Sequence, residues 1–203
     1  MADNTYDAIV IGSGISGGWA AKELTQKGLK TIKLERGKDI VHVKDYINAT
    51  KGQWEFPHRG GRTQQMIKNY PVLKRDYPHN IENLDFCNEV NLDYWTNDKE
   101  SPYTEIKRFD WFRGFHVVGR SLMWGRQSYR WSDLDFEANA KEGIAIDWPI
   151  RYKDIEPWYT YAEKFAGISG AKDGLPQLPD GHFMPAVEMN CVEKDVSARI
   201  KQH

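Results

Sequence analysis

Apolar and polar segments alternate most clearly near the start of the chain. An apolar run over residues 6–11 breaks into a glycine-rich segment, and a stretch containing Ala, Leu and Lys follows as far as Lys27. Gly28 then suits the end of a helix, and apolar residues recur between residues 29 and 35. This order predicts a strand, a tight turn, a helix and a second strand.

The predicted turn contains the Gly-x-Gly-x-x-Gly pattern of dinucleotide-binding sites. Gly12 permits the sharp turn, Gly14 allows the backbone to approach a pyrophosphate, and Gly17 allows the helix to pack closely on the sheet. The free amides and the dipole at the helix N-terminus attract phosphate. We therefore predict that this loop binds a dinucleotide. Its predicted contact residues are Gly12, Ser13, Gly14, Ile15, Ser16 and Gly17.

The end of the second predicted strand bears on which dinucleotide binds. Glu35 is positioned to accept hydrogen bonds from the adenosine ribose, and an acid there disfavours the 2′-phosphate of NADP. FAD and NAD both remain, and spacing alone does not separate them. The Glu35-Arg36-Gly37 ending is common among flavoproteins, so it favours FAD and adds Arg36 to the predicted contacts.

Residues 38–110 carry scattered aromatic residues and prolines without a steady hydrophobic period. A simple NAD-binding unit would continue to alternate strand and helix, so this long irregular excursion argues against one. Short helices are predicted near 45–50 and 61–69. A Gly-Gly pair between two arginines at 59–62 offers a phosphate contact, although a solvated turn is the preferred interpretation.

The last third of the chain predicts three further helices. The first begins with a cap at Ser132 and stops at Gly143, and the second is capped by Asp154 and stops at Gly167. In the third, over residues 191–203, apolar residues recur every fourth position. No capping residue follows this helix, so we expect His203 to be a truncation point.

Charge and composition exclude several classes of function. The chain has 28 Lys plus Arg against 29 Asp plus Glu, and 40% of its residues are hydrophobic, as in a globular protein. Four arginines interleaved with aromatics over residues 111–131 would suit stacking on single-stranded nucleic acid. The net charge of −1 supplies no basic surplus, so nucleic acid is not an expected partner.

The cysteines and histidines show no pattern typical of a disulfide framework or a metal site. Cys87 and Cys191 are far apart, and the six histidines show no ligand pairing, so no metal is assigned. No run approaches the ~20 apolar residues of a membrane helix. The first residues also lack the features of a signal peptide. Together these observations predict a soluble cytoplasmic protein without a membrane span.

Three segments together carry a family resemblance. They are the glycine motif with its Glu35-Arg36-Gly37 ending, the run Val-Gly-Arg-Ser-Leu-Met-Trp-Gly over residues 118–125, and Asp147-Trp148-Pro149-Ile150 followed by Pro157-Trp158-Tyr159. The sequence resembles the N-terminal part of the glucose-methanol-choline (GMC) flavin oxidoreductases. Within that family it is most similar to the branch of pyranose oxidases and bacterial sugar or gluconate dehydrogenases.

The resemblance implies an α/β fold with an incomplete Rossmann-like FAD-binding domain over residues 1–150. Residues 151–203 would begin a substrate-binding domain. Gly119, Arg120 and Ser121 would form a second flavin-contacting loop with Trp124 close by.

Two departures from the family pattern lie in this second loop. The family usually has two adjacent glycines where this chain has Val118-Gly119, and a β-branched residue adopts positive φ only at a cost. Covalently flavinylated relatives have a histidine before the tryptophan, whereas here the residue is Met123. The resemblance therefore implies non-covalent FAD.

The activity implied by the resemblance is oxidation of a CH–OH group of an alcohol, sugar or sugar acid, with hydride passing to flavin N5. The electron acceptor would be a partner subunit or a quinone. The catalytic base is expected beyond residue 203, so the catalytic residues are unknown and the chain alone is expected to be inactive. The alternatives are an NAD-dependent dehydrogenase and a non-catalytic nucleotide-binding module. His116 lies near the second loop, and we expect a strand residue satisfied by a hydrogen bond rather than a catalyst.

Overall fold

The computed structural model describes residues 4–41, 43–46, 48, 50–69, 88–107, 109 and 111–202. These residues form an α/β structure with a small parallel sheet of two strands. The chain divides into two compact units, Met1–Gly125 and Arg126–His203. The domains predicted from the sequence, 1–150 and 151–203, stay a prediction beside this division.

The first unit begins with the predicted strand, turn, helix and second strand. Strand β1 is Ala8–Ile11, helix α1 is Ile15–Gln26 and strand β2 is Thr31–Leu34. The strands pair in parallel, with Ala8 opposite Thr31 and Ile11 opposite Leu34. Gly28 leaves the helix with φ +85, a conformation that glycine adopts at little cost. The prediction for this segment is confirmed, with shorter strands than the apolar runs suggested.

The two faces of β1 have different surroundings. Val10 is buried and its side chain lies beside Gly17 of α1, whereas Ile9 and Ile11 are 64% and 85% exposed. Successive side chains of a strand point to opposite faces, so α1 covers the face that Val10 occupies. Ile9 and Ile11 lie on the other face.

The irregular excursion has a small core of its own. It contains helix α2, Gln64–Asn69, and two short 3-10 helices, Gln53–Glu55 and Leu92–Tyr94. Leu92 and Trp95 form a buried cluster, and the residues packed against it are Met66, Ile67, Phe112 and Met123. The predicted helix near 61–69 is thus confirmed in part. Residues 70–87, which include Cys87, lie outside the described residues.

The predicted helix near residues 45–50 is wrong for the residues that the structure describes there. Residues 45, 46, 48 and 50 lie in bends, turns or irregular backbone. The Asp45 side chain accepts a hydrogen bond from the Val41 N–H at 2.7 Å, and the Asp45 N–H donates to the Val41 carbonyl. A short acidic side chain that binds nearby backbone competes with helix formation, and here it stabilises a turn.

The Gly-Gly segment at 59–62 is a turn held from within the protein. Arg59 and Gly60 have φ of +51 and +78. The Glu89 carboxylate accepts hydrogen bonds from the N–H groups of His58 and Gly60 at 3.0 and 3.2 Å. Because these donors are used by Glu89, they are not offered to a phosphate.

The second unit contains three helices. Their bounds are Asp133–Glu142 for α3, Tyr152–Ala166 for α4 and Cys191–Ile200 for α5. Gly143 and Gly167 end α3 and α4 in the left-handed conformation, as predicted. Helix α4 starts before the predicted cap. Asp154 lies in its first turn, where the carboxylate accepts from the Arg151 N–H at 2.8 Å, so the predicted capping role of Asp154 is corrected to the reciprocal position of a capping box.

A buried ion pair holds the second unit together. Arg130 Nε and Nη2 donate to the two carboxylate oxygens of Glu163 on α4, both at 2.7 Å. The side chains are only 2% and 9% exposed. Arg130 also donates to Tyr152 Oη at 2.8 Å and Thr160 Oγ1 at 2.9 Å, and the His182 N–H donates to Glu163 at 3.0 Å. The pair therefore joins α4 to the segments before and after it.

The arginines between residues 111 and 131 are partly used inside the fold. Arg113 is buried and donates to Asp98 Oδ1 at 2.5 Å and to the Ser101 carbonyl at 2.6 Å. Arg130 is buried against Glu163, and Arg120 donates to the Phe112 carbonyl at 3.1 Å. Two of the four arginines are thus internal ion-pair partners.

Among the described residues, no helix has the length and apolar character needed to cross a bilayer. The same residues contain no cluster of three or more His, Cys, Asp or Glu side chains suited to hold a metal ion. Cys191 is an exposed free thiol at the start of α5.

Candidate nucleotide-binding site

Each glycine of the motif occupies a different environment between β1 and α1. Gly12 has φ +91, which only glycine adopts readily. A Cβ on Gly17 would lie 2.0 Å from the Gly12 carbonyl oxygen, so α1 packs directly on the turn. A Cβ on Gly14 would meet no heavy atom of the described residues within 4 Å. The protein therefore needs glycine at positions 12 and 17 for its own packing and leaves open space beside Gly14.

The start of α1 is open to an anion. Gly14 is the N-cap, and no side chain among the described residues caps the helix. The first turn contains no acidic residue. Ile15 and Ser16 are exposed there. The first N–H groups of a helix have no acceptor within it, and the helix dipole adds partial positive charge at this end. The arrangement is that of a phosphate-binding helix N-terminus.

Glu35 lies directly after β2 and faces the glycine loop. One carboxylate oxygen accepts from Ser13 N–H at 2.8 Å and from Ser13 Oγ at 2.5 Å. The other accepts from the N–H groups of Arg36 and Gly37 at 2.7 and 3.0 Å. The Ser13 hydroxyl contributes most, followed by the Gly37 N–H, and together the bonds lower the pKa of Glu35 to about 2. The carboxylate is therefore ionised at every physiological pH.

The second predicted loop lies against the first. Residues Gly119–Met123 form a 3-10 helix, and a Cβ on Gly119 would lie 3.2 Å from Gly14 Cα. The Val118 N–H donates to Ser13 Oγ at 2.9 Å, across 105 positions of sequence. The structure thus brings Gly119 to the glycine loop.

Val118 has an uncommon backbone conformation. Its φ is +76, and the following Gly119 has φ +60. The GMC family usually has glycine at this position, and a valine in the left-handed region costs on the order of 1–3 kcal/mol. Val118 therefore leaves backbone strain beside the site. Val118 is 40% exposed, and its side chain gains little burial in return.

The other predicted contacts are distributed around this junction. The Arg36 guanidinium lies over the Phe115 ring, 3.8 Å from its centroid. Arg120 is exposed and its guanidinium reaches the Phe112 carbonyl, while Ser121 lies within the 3-10 helix. Trp124 is 42% exposed at the end of that helix.

His116 is buried beside a cavity of about 350 Å³ near the end of β2. It forms an isolated parallel bridge with Lys38, and its ring meets the Tyr94 ring edge-on at 5.8 Å. Its Nδ1 has no hydrogen-bond partner among the described residues, so the expectation of a hydrogen-bonded histidine is wrong at this atom. Burial, with the nearby Lys38 charge, lowers the pKa of His116, which keeps the ring neutral. A neutral ring tolerates burial without a charged partner.

Sequence reasoning missed the connecting role of Ser13. The residue was predicted only as one contact among several in the motif, and it occupies a variable position of the pattern. Its two long-range partners, Glu35 and Val118, come from different segments. No local signal predicts that both meet one serine.

Comparison with known proteins agrees with the sequence resemblance. No protein-family model matches the chain. The chain is similar to 6'''-hydroxyparomomycin C oxidase of Streptomyces lividus, with 26% identity over 83% of this chain and 24% of that protein. It is also similar to 2-methyl-1,2-propanediol dehydrogenase of Mycolicibacterium austroafricanum, with 28% identity over 88% of this chain and 27% of that protein.

A third relative is the gluconate 2-dehydrogenase flavoprotein of Pantoea cypripedii, with 26% identity over 81% of this chain and 26% of that protein. Over most of its length the chain resembles GMC-type oxidoreductases. The resemblance predicted from its motifs is confirmed. The chain spans about a quarter of the length of these curated relatives.

Proposed function

We propose that the chain forms the nucleotide-binding part of an FAD-dependent oxidoreductase that acts on the CH–OH group of an alcohol, sugar or sugar acid. The observation that carries the proposal is the junction of two loops at Gly14 and Gly119. Both loops were predicted as cofactor contacts, and they meet beside the open N-terminus of α1 and the ionised Glu35.

The residues at this junction fit FAD. The N–H groups of the first turn of α1, from Ile15 onward, would hold the pyrophosphate. Glu35 would receive the adenosine ribose, and residues 119–121 would lie towards the flavin ring. FAD, when bound, supplies a hydride acceptor, while the chain binds and orients it.

Two observations favour FAD over other dinucleotides, and a third favours its non-covalent binding. The Glu35 carboxylate is ionised and partly exposed, so its negative charge would repel the 2′-phosphate of NADP. One relative is named a flavoprotein, which supports a flavin over NAD. Met123 offers no imidazole for attachment, and it packs on the cluster of Leu92 and Trp95.

Substrate and partners are proposed for the whole protein. They are a small alcohol or sugar as substrate, and a second subunit or a quinone as electron acceptor. We assign no catalytic base to any residue of this chain. The Rossmann-like FAD-binding domain and the start of a substrate-binding domain also remain proposals, and the parallel sheet is compatible with the first of them.

The binding proposal is tested by adding a methyl group where the protein leaves room for the cofactor. Gly14 has φ −61, which alanine adopts freely, and in the part of the chain that the structure describes no atom lies within 4 Å of where its Cβ would be. We expect Gly14→Ala to cost less than about 1 kcal/mol of stability, since alanine is a poorer N-cap than glycine. It should weaken FAD binding by about tenfold or more, measured by calorimetric titration with ADP as competitor.

The matched control is Gly18→Ala in the same helix. Its Cβ also meets no atom, and alanine stabilises a helix interior by about 0.5–1 kcal/mol over glycine. Its FAD affinity should equal that of the unchanged chain. Equal binding by the Gly14→Ala variant, or a preference for NAD over FAD, would contradict the proposal.

The activity proposal requires the complete gene product. We expect turnover of at least one member of a panel of sugars, sugar acids and alcohols with an artificial electron acceptor. The flavin absorbance should bleach when that substrate is added without acceptor. Reduction of added NAD in place of the flavin would favour the NAD-dependent alternative.

A further inference from the structure

Ser13 makes three hydrogen bonds to other segments of the candidate site. It is 4% exposed, although it belongs to an otherwise accessible loop. Its hydroxyl donates to Glu35 Oε2 at 2.5 Å and accepts from the Val118 N–H at 2.9 Å, while its own N–H donates to the same Glu35 oxygen. One side chain therefore joins the end of β2, the glycine loop and the second loop.

Both bonds from Ser13 reach the same oxygen of Glu35. The backbone N–H groups of Arg36 and Gly37 donate to the other oxygen. The plane of the carboxylate is thereby held in one orientation before any ligand binds.

The same hydroxyl holds the strained turn of the second loop. Val118 has φ +76, and a residue in this region persists only where its surroundings hold it. Two bonds do so: the one from Val118 N–H to Ser13 Oγ, and the one from Gly119 N–H to the His116 carbonyl at 2.8 Å. Gly119 lies against Gly14 in consequence.

We propose that Ser13 is a positioning residue, whose hydroxyl fixes Glu35 and the Val118-Gly119 turn in the geometry that receives the nucleotide. It does so without contacting the nucleotide, because both its N–H and its O–H are directed at Glu35. This inference rests on the proposed function and assigns to Ser13 a different role from the direct contact that the motif predicts. A site held in its binding geometry loses less conformational freedom on binding.

The first test is independent of nucleotide. The carboxyl carbon of Glu35 is titrated by NMR in the unchanged chain, in Ser13→Ala, in Ser13→Thr and in Ser16→Ala. The Ser13 hydroxyl is the main cause of the low Glu35 pKa, so in Ser13→Ala we expect that pKa to rise towards its ordinary value of 4.5. Ser13→Thr keeps a hydroxyl and should keep the low pKa. Ser16→Ala removes an exposed serine at the start of α1 and should leave the Glu35 pKa unchanged.

The second test measures FAD affinity between pH 3 and pH 7, near the range in which carboxylates titrate. We expect Ser13→Ala to bind about tenfold more weakly at pH 7 and to lose its remaining affinity at a higher pH than the unchanged chain. Ser13→Thr should restore both. Ser13→Cys, whose thiol is a weaker donor, should lie between them, and it replaces Ser13→Ala if the alanine variant does not fold.

The outcomes separate the two proposals. An unchanged Glu35 titration in Ser13→Ala would overturn the positioning role, as would FAD affinity equal to that of the unchanged chain. If the unchanged chain binds no FAD, the proposed function is contradicted, and the titration of Glu35 alone then decides whether Ser13 positions that carboxylate.

Discussion

Glu35 and Glu163 are two carboxylates with lowered pKa in different units of the chain. Around Glu163, burial alone would raise the pKa, but the hydrogen bonds and charge of Arg130 and the His182 N–H outweigh it. The pKa of Glu35 is lowered by the Ser13 hydroxyl and by three backbone N–H groups, those of Gly37, Ser13 and Arg36. Within the described segments no side-chain cation donates to Glu35, since Arg36 donates through its backbone N–H.

The difference lies in what each carboxylate leaves for a ligand. Glu163 is neutralised by Arg130 and enclosed, so its charge serves the fold. Glu35 keeps its negative charge, is partly exposed and lies at the junction of two loops. A lowered pKa alone therefore does not identify a functional carboxylate, because a structural ion pair produces the same direction of shift.

The largest effect is expected from removing Arg130. Arg130→Met leaves Glu163 buried without its cation and should lower the free energy of unfolding of the second unit by about 3–5 kcal/mol, measured by urea denaturation. The double variant Arg130→Met/Glu163→Met should recover most of that loss, because a buried ion pair replaced by apolar residues is often tolerated.

The exposed pair Asp195–Arg199 is the control for this prediction. Its side chains are 61% and 75% exposed, so Asp195→Ala should cost less than about 0.5 kcal/mol. A loss below 1 kcal/mol for Arg130→Met would show that Glu163 does not depend on its partner.

The next effect concerns the packing of the glycine loop. Gly17→Ala would place a Cβ 2.0 Å from the Gly12 carbonyl oxygen, so the backbone must shift. We expect a loss of stability of about 1–3 kcal/mol together with loss of FAD binding. Gly14→Ala, in contrast, should lose binding with a loss of stability below about 1 kcal/mol. Equal stability of the two variants would mean that α1 does not pack on the turn as described.

A smaller effect of opposite sign is expected at Val118. Val118→Gly relieves the strain of the left-handed conformation, but glycine also gives the unfolded chain more conformational entropy, which offsets part of the gain. The net effect should stabilise the first unit by about 1 kcal/mol. Val117→Gly, at a neighbour without positive φ, should destabilise it. Thermal unfolding of both variants decides this, and destabilisation by Val118→Gly would contradict the strain.

The smallest effect is on the dependence of stability on pH. Burial lowers the pKa of His116 in the folded chain from its ordinary value of 6.5. Near and below pH 6.5 the unfolded chain therefore binds more protons at this histidine than the folded chain does, and stability falls as the pH drops. Glu35, with a pKa lowered from 4.5 to about 2, contributes stability above 4.5 that is lost as the pH falls towards 2.

Denaturation midpoints measured between pH 8 and pH 3 report both contributions, because this pH range includes the ordinary pKa values of histidine and of carboxylates. His116→Gln should remove the loss that begins near pH 6.5, and Glu35→Gln should remove part of the loss below 4.5. An unchanged profile in His116→Gln would mean that the buried ring is not neutral in the folded chain.

The sequence determined the local elements. The strand–turn–helix–strand order, the glycine ends of α3 and α4 and most helix bounds follow from periodicity and capping, which act over a few residues. The roles of Gly12 and Gly17 were also predictable, because each depends on backbone conformation or packing within the motif itself.

Only the tertiary structure decided which distant groups meet. The contact of Val118 with Ser13 and the pairing of Arg130 with Glu163 join groups from separate segments. The fold also buries His116 Nδ1 where no described residue offers it a hydrogen bond. Family resemblance predicted the second loop, but neither its contact with Gly14 nor the left-handed Val118 is encoded in a local pattern. Such contacts depend on how the whole chain folds, because burial and hydrogen bonding are settled by neighbours in space.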